Sequence, residues 1–239
     1  LVKAAAANRI LYVPSIASSL FMEEIATAKP HEDQIYVSTN ETENKALFQR
    51  IEQTGAKALV LTVDSAGDRT PHRVVRYVPD INITRGDEFH YMTWDFFQEI
   101  QSLTRLPIIP KGIQSVEDAK MAAKIGVRAI FLSNHGGRAL DGSPSAFDVT
   151  LEIRQKAPEI FDQMEVYADG GIRYGTDVLK LLALGVRAVG LGRPFMFANM
   201  YGAAGVSKAL NLLRQETISA AANVGVADIQ RVTPEYVDF

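Results

Sequence analysis

Apolar residues along this chain gather in short unbroken runs, each closed by a polar or glycine-marked end. "ILYVPS" (10–15), "QIYVS" (34–38), "ALVLTVD" (58–64), "LPIIPKG" (106–112), "RAIFLSN" (128–134), "MEVYADGG" (164–171) and "RAVGLGR" (187–193) are of this kind. Runs of this length predict strands buried on both faces, as in a parallel sheet. Helical patterns lie between most of them. Asn40 with Glu43 predicts a capping box ahead of "KALFQRIEQTG", and Ser115 with Asp118 a weaker start for "VEDAKMAAKIG". Three stretches resemble one another: "TGAKALVLTVD", "IGVRAIFLSNH" and "LGVRAVGLGRP". In each, a glycine (Gly55, Gly126, Gly185) falls where a helix should end, followed by a buried run.

Alternating strand and helix implies a parallel sheet, either open or closed into a barrel. The spacing and the polar strand ends favour a (β/α)8 TIM barrel. Seven strands are legible rather than eight, and the chain opens on what reads as the helix before the second strand. The expectation is therefore one barrel domain over residues 1–239 that lacks its first strand, with a gap or a substitute beside "ILYVPS". A doubly wound open sheet is the alternative.

Composition narrows this little. With 239 residues and 47% hydrophobic content the chain suits one large core, and its net charge of −3 implies no general affinity for nucleic acid or anionic membrane. The absence of cysteine excludes disulfides and thiolate chemistry and fits a reducing, intracellular setting. No apolar run is long enough to span a bilayer, and "LVKAAAANRILYVPS" does not read as a signal peptide.

In a barrel, chemistry gathers where the strands end. Gln34 and Tyr36 alternate along one strand and share a side; Thr62 and Asp64 end the next; Lys111 ends the one after. His135 and Arg138 follow "RAIFL", Asp169, Gly170, Gly171 and Arg173 follow "VYA", and Gly192 and Arg193 follow the last run. Taken singly, each is an ordinary turn residue or helix cap. Their convergence on one mouth points to a site. The glycine–arginine loops after the last two strands suit a phosphate, held by backbone N–H groups, a helix N-terminus and a guanidinium. An arginine that can fork onto a carboxylate, a histidine that can take a proton and an aspartate to steady the imidazolium suit acid–base chemistry on a carboxylated substrate. His31, His72 and His90 fall in predicted loops without metal-ligand spacing.

"LSNHGGRALD" closely resembles the active-site signature of the FMN-dependent α-hydroxy acid oxidases and dehydrogenases, the family of glycolate oxidase and the flavin domain of flavocytochrome b2. "QIYV", "LTVD", "PIIPKGI", "DGGIRYGTDVLK" and "GLGRPF" match in the family's order. The resemblance implies a TIM barrel with FMN across its mouth and oxidation of a 2-hydroxy acid of lactate or glycolate type. It implies His135 as base, Asp64 as its partner, Arg138 as the clamp on the carboxylate, and Tyr36 as a hydrogen-bonding contact near the reacting carbon. It further implies Lys111 beside the flavin edge where negative charge collects on reduction, and Gln34 and Thr62 as ring contacts. Asp169, Gly170, Gly171, Arg173, Gly192 and Arg193 fall to the ribityl chain and phosphate. The electron acceptor would be oxygen or a redox protein, and the assembly a homotetramer. Ala139 departs from the family, standing where it usually has glutamine. So do the segment "SAGDRTPHR" with Arg69, and Pro14, which replaces a small polar flavin contact. The family's N-terminal segment and first strand have no counterpart in the sequence. Two readings follow: an FMN-dependent oxidoreductase, or a vestigial barrel that keeps the fold without turnover.

Overall fold

The computed structural model of the chain describes residues 1–27, 33–35, 37–64, 76–78 and 92–238. Among the described residues, six strands form one sheet: β1 (Asp33–Ile35), β2 (Leu59–Thr62), β3 (Ile108–Ile113), β4 (Ala129–Leu132), β5 (Glu165–Asp169) and β6 (Ala188–Gly190). Each pairs in parallel with the next, in the order β1-β2-β3-β4-β5-β6. Doubly wound sheets reverse direction partway across. This sheet never does, so its strands run around a barrel.

Among the described residues, helices precede, connect and follow the strands. They are α1 (Val2–Ala7), α2 (Met22–Ala26), α3 (Glu41–Gln53), α4 (Trp94–Ser102), α5 (Val116–Lys124), α6 (Ala146–Lys156), α7 (Ile160–Gln163), α8 (Gly175–Ala183), α9 (Arg193–Ala198) and α10 (Gly202–Asn223). Helices α3, α5 and α8 end as the sequence predicts, with Gly55, Gly126 and Gly185 just past them at φ +81, +78 and +105. Arg154 of α6 donates from Nε (2.9 Å) and Nη2 (2.6 Å) to the Leu184 carbonyl at the end of α8. Burial lowers its pKa. The start of α3 differs in detail from a capping box. Asn40 accepts from the N–H groups of Thr42 and Glu43, but its own N–H donates to Ser38 Oγ rather than to Glu43.

The core has two compartments, as a barrel requires. Outward residues of the strands, such as Leu59, Leu61, Ile130 and Leu132, join the helices in the large cluster. Inward residues Ala58, Val60, Ile109, Ala129 and Phe131 form a separate small one. Residues 10–14, expected as a strand, form none, and Ser15 makes only a single bridge. Pro14 offers no N–H to a ladder, and Ile10 and Leu11 stay exposed. Val13 nevertheless packs on the inner cluster, so this segment fills the interior beside the sheet without joining it. At the N-terminal end, α1 packs on α10, and Asn8 Nδ2 donates to Ser207 Oγ at 2.9 Å.

Candidate active site

Of the strand ends that sequence reading singled out, those bearing Asp64, Lys111, His135, Asp169 and Arg193 are joined by contacts. The register between β3 and β4 shifts around Gly112, between Lys111 and Ile113. Gly112 takes φ +115, and a Cβ there would lie 2.5 Å from Asp64 Cβ. The bulge and the missing side chain let the Asp64 carboxylate sit beneath β3, with its side chain fully buried. There it meets His135, whose Nδ1 lies 2.9 Å from Asp64 Oδ1 and 3.2 Å from Oδ2. A carboxylate facing Nδ1 fixes the proton on that nitrogen, so Nε2 is the atom that can accept one. His135 is also one of two side-chain-bearing residues among those described with positive φ, at +58. Side-chain-bearing residues resist this backbone, and it is found most often where function holds it in place.

Lys111 is buried, with Nζ 3.0 Å from Ser133 Oγ and 3.3 Å from Asp169 Oδ2. The hydroxyl of Ser133 donates in turn to Asp169 Oδ1 and accepts the N–H of His135 at 3.0 Å. Thr62, buried, ends β2 in register with Lys111. One side chain thus ties the lysine, the aspartate and the histidine backbone across three strands. Ser133 and Gly112 were not singled out in the sequence, although both left a signal there. Ser133 has the same parity as the inward residues Ala129 and Phe131 and as His135, and Gly112 is a glycine inside a strand, which marks a bulge.

The arginines lie at the rim. Arg138 is exposed and donates from Nε to the His135 carbonyl at 3.0 Å; no carboxylate among the described residues pairs with it. Arg193 Nη2 donates to the Gly136 carbonyl at 2.7 Å. Gly170 packs on the loop of β4, since a Cβ there would lie 3.2 Å from Asn134 Oδ1. Around Gly171 and Gly192 a Cβ would meet nothing within 4 Å, so both backbones stand open at the mouth. The N-terminus of α8, by contrast, is already taken. The amides of Arg173 and Tyr174 both donate to Asp177 Oδ2 at 2.9 Å, and that of Gly175 to Glu216 Oε2 at 2.9 Å. The start of α9, after Gly192, has no side-chain cap. Gln34 is the central residue of β1, in register with Val60. Tyr36, Arg69, His31, His72 and His90 lie outside the described residues.

These donors fit a phosphorylated redox ring such as FMN. A buried ammonium can face an electron-rich ring edge, a carboxylate can face sugar hydroxyls, and two open glycines with Arg173 and Arg193 can face a phosphate. The profile of the FMN-dependent dehydrogenase family matches residues 1–86 and 78–239, which together take in the whole chain. The chain belongs to that family. L-Lactate dehydrogenase (cytochrome) of Saccharomyces cerevisiae is 37% identical over 258 residues, covering 95% of this chain and 44% of the yeast protein. 2-Hydroxyacid oxidase 2 of Mus musculus is 37% identical over 260 residues, covering 99% of this chain and 73% of the mouse protein. Among solved structures, the recombinant flavin-binding domain of baker's yeast flavocytochrome b2 superposes with a TM-score of 0.90 at 35% identity, over 99% of this chain and 64% of that one. The chain therefore spans less than half of the yeast enzyme and about two thirds of its flavin domain. Family membership settles the architecture as the TIM barrel that the strand order indicates.

Proposed function

We propose that residues 1–239 form one FMN-binding barrel domain that oxidises an L-2-hydroxy acid, of lactate or glycolate type, to the 2-oxo acid. The observation that carries this reading is the His135–Asp64 pair, 2.9 Å apart and almost closed to water, beside an arginine without a carboxylate partner among the described residues. The names of the yeast lactate dehydrogenase and the mouse 2-hydroxyacid oxidase agree with it.

In this reading Arg138 binds the substrate carboxylate through its planar fork and so orients the carbon that bears the hydroxyl. His135 Nε2 accepts a proton from the substrate, and Asp64 stabilises the imidazolium that results. FMN, when bound, would supply the acceptor for the two electrons and the second hydrogen that leave with the alcohol's oxidation. Lys111 places fixed positive charge where the flavin ring gains electron density, and burial strengthens that effect. Thr62, Gln34 and Asp169 line the ring and sugar, and Gly170 holds the loop that bears His135. Gly171, Arg173, Gly192 and Arg193 hold the phosphate, while Tyr36 reaches the substrate. Electrons then pass to oxygen or to a redox protein; the name of the yeast relative includes a cytochrome, and the mouse relative is called an oxidase. The reading also carries the homotetramer implied by the resemblance. The exposed run Met196, Phe197, Met200 and Tyr201 is the kind of surface that assembly covers.

Anaerobic stopped-flow mixing of the FMN-loaded chain with lactate, glycolate, mandelate and longer 2-hydroxy acids tests the proposal. Bleaching of the flavin by at least one of them is expected. A flavin that stays yellow with all would favour a barrel that keeps the fold without turnover.

A further inference from the structure

His135 and Arg138 share one short loop, and something must hold that loop in an unfavourable backbone shape. The His135 N–H and Nδ1 are fixed by Ser133 and Asp64, and its carbonyl accepts from Arg138 Nε. Arg193 Nη2 also donates to the Gly136 carbonyl within the loop. A further anchor is Asn134, which no step of the proposed chemistry uses. Its Oδ1 accepts the Gly137 N–H at 3.0 Å, while its own backbone carbonyl accepts the same N–H at 3.0 Å. Its Nδ2 donates to the Pro144 carbonyl at 3.1 Å, one residue before the N-cap Ser145 of α6. The two partners fix the amide's orientation, because a swapped amide would face N–H with NH2 and carbonyl with carbonyl. The amide also lies against the backbone of the next strand end, where only a glycine, Gly170, leaves room. Asn134 thus ties the turn that carries His135 and Arg138 to the start of α6, and lies close to the end of β5.

We propose that Asn134 is a positioning residue for the proton transfer. It holds His135 in its left-handed conformation with Nδ1 on Asp64, and holds Arg138 at a fixed distance from it. The proposal rests on the reading of His135 as base and Arg138 as clamp. Serine at this position can still accept from the amide three residues on, as an N-cap hydroxyl does, but it is too short to reach Pro144. Alanine does neither. In the FMN-loaded chain, Asn134→Ala should lower the limiting rate of flavin reduction about ten- to a hundredfold, the order expected when a reacting group is misplaced by about 1 Å. FMN affinity should be unchanged, and Asn134→Ser should recover part of the rate.

A second readout does not depend on turnover. The His135 Nδ1 proton, hydrogen-bonded to Asp64, should give a downfield resonance in the parent. It should broaden or move in Asn134→Ala and return toward its parent position in Asn134→Ser. Asn134→Ala with parent rate and parent resonance would overturn the proposal. So would a loss in Asn134→Ala that tracks lost FMN binding. Should no 2-hydroxy acid reduce the parent, the functional reading fails, and the resonance alone decides whether Asn134 holds His135.

Discussion

The two halves of the mouth are built differently. On the side of β2, β3 and β4, Asp64, Lys111, Ser133 and His135 are tied to one another by bonds of about 3 Å, and all four side chains lie almost out of solvent. On the side of β5 and β6, Gly171 and Gly192 face open space, Arg173 is exposed, and Arg193 rests on a backbone carbonyl. In the proposed function the first half carries groups whose charge must be poised before a substrate arrives, and preorganisation is what makes such groups effective. The second half, in the same reading, needs only donors that a phosphate can gather, and the phosphate itself brings their order.

The contrast can be broken most sharply at His135. His135→Gln keeps a hydrogen bond toward Asp64 but removes the base. Flavin reduction should fall about 10²–10⁴-fold, the usual share of general base catalysis. The spectrum of bound FMN should hardly change, because the proposed phosphate contacts of the open half do not include the His135 side chain. Loss of FMN in this variant would show that the two halves are one unit.

Gly112→Ala tests how rigid the tied half is. The new methyl would meet Asp64 Cβ at 2.5 Å on a backbone with φ +115. Strain and overpacking together should cost roughly 2–5 kcal/mol, read as a lower urea midpoint. A variant of parent stability would mean that Asp64 can retreat. Smallest is the effect expected of Arg193→Ala. Losing a charged hydrogen bond costs about 1.5–3 kcal/mol, or roughly ten- to a hundredfold in FMN affinity by titration. The fold should hold, since Arg193 binds within the chain only through Gly136 among the described residues. Unchanged FMN affinity would move the phosphate elsewhere.

Much of this was legible from sequence because it is local. The runs that became β2 to β6, the glycines after α3, α5 and α8, and the caps Asn40 and Ser115 each follow from a few adjacent residues. "ILYVPS" misled because an apolar run reports burial and not pairing; Val13 is packed inside while Pro14 cannot join a ladder. Gly112 and Ser133 were missed for the opposite reason. Their roles lie in what sits across from them, Asp64 for one and Lys111 with Asp169 for the other, and such contacts appear only once three strands are side by side. Of the two helix starts beside the glycine–arginine loops, that of α8 has its amides taken by Asp177 and by Glu216, the latter 41 residues further on in another helix, a contact no local pattern announces.

Ser133 has only one proton to give. Lys111 and the His135 N–H both point donors at its oxygen, so that proton must go to Asp169. The direction of every bond in the group is thereby set, as in a circuit with a single allowed polarity. Cation, hydroxyl and carboxylate stand in fixed order across β3, β4 and β5. In the proposed reading, with the flavin ring beside Lys111 and the sugar beside Asp169, a change of charge at one end is carried to the other by polarisation, with no side chain having to turn.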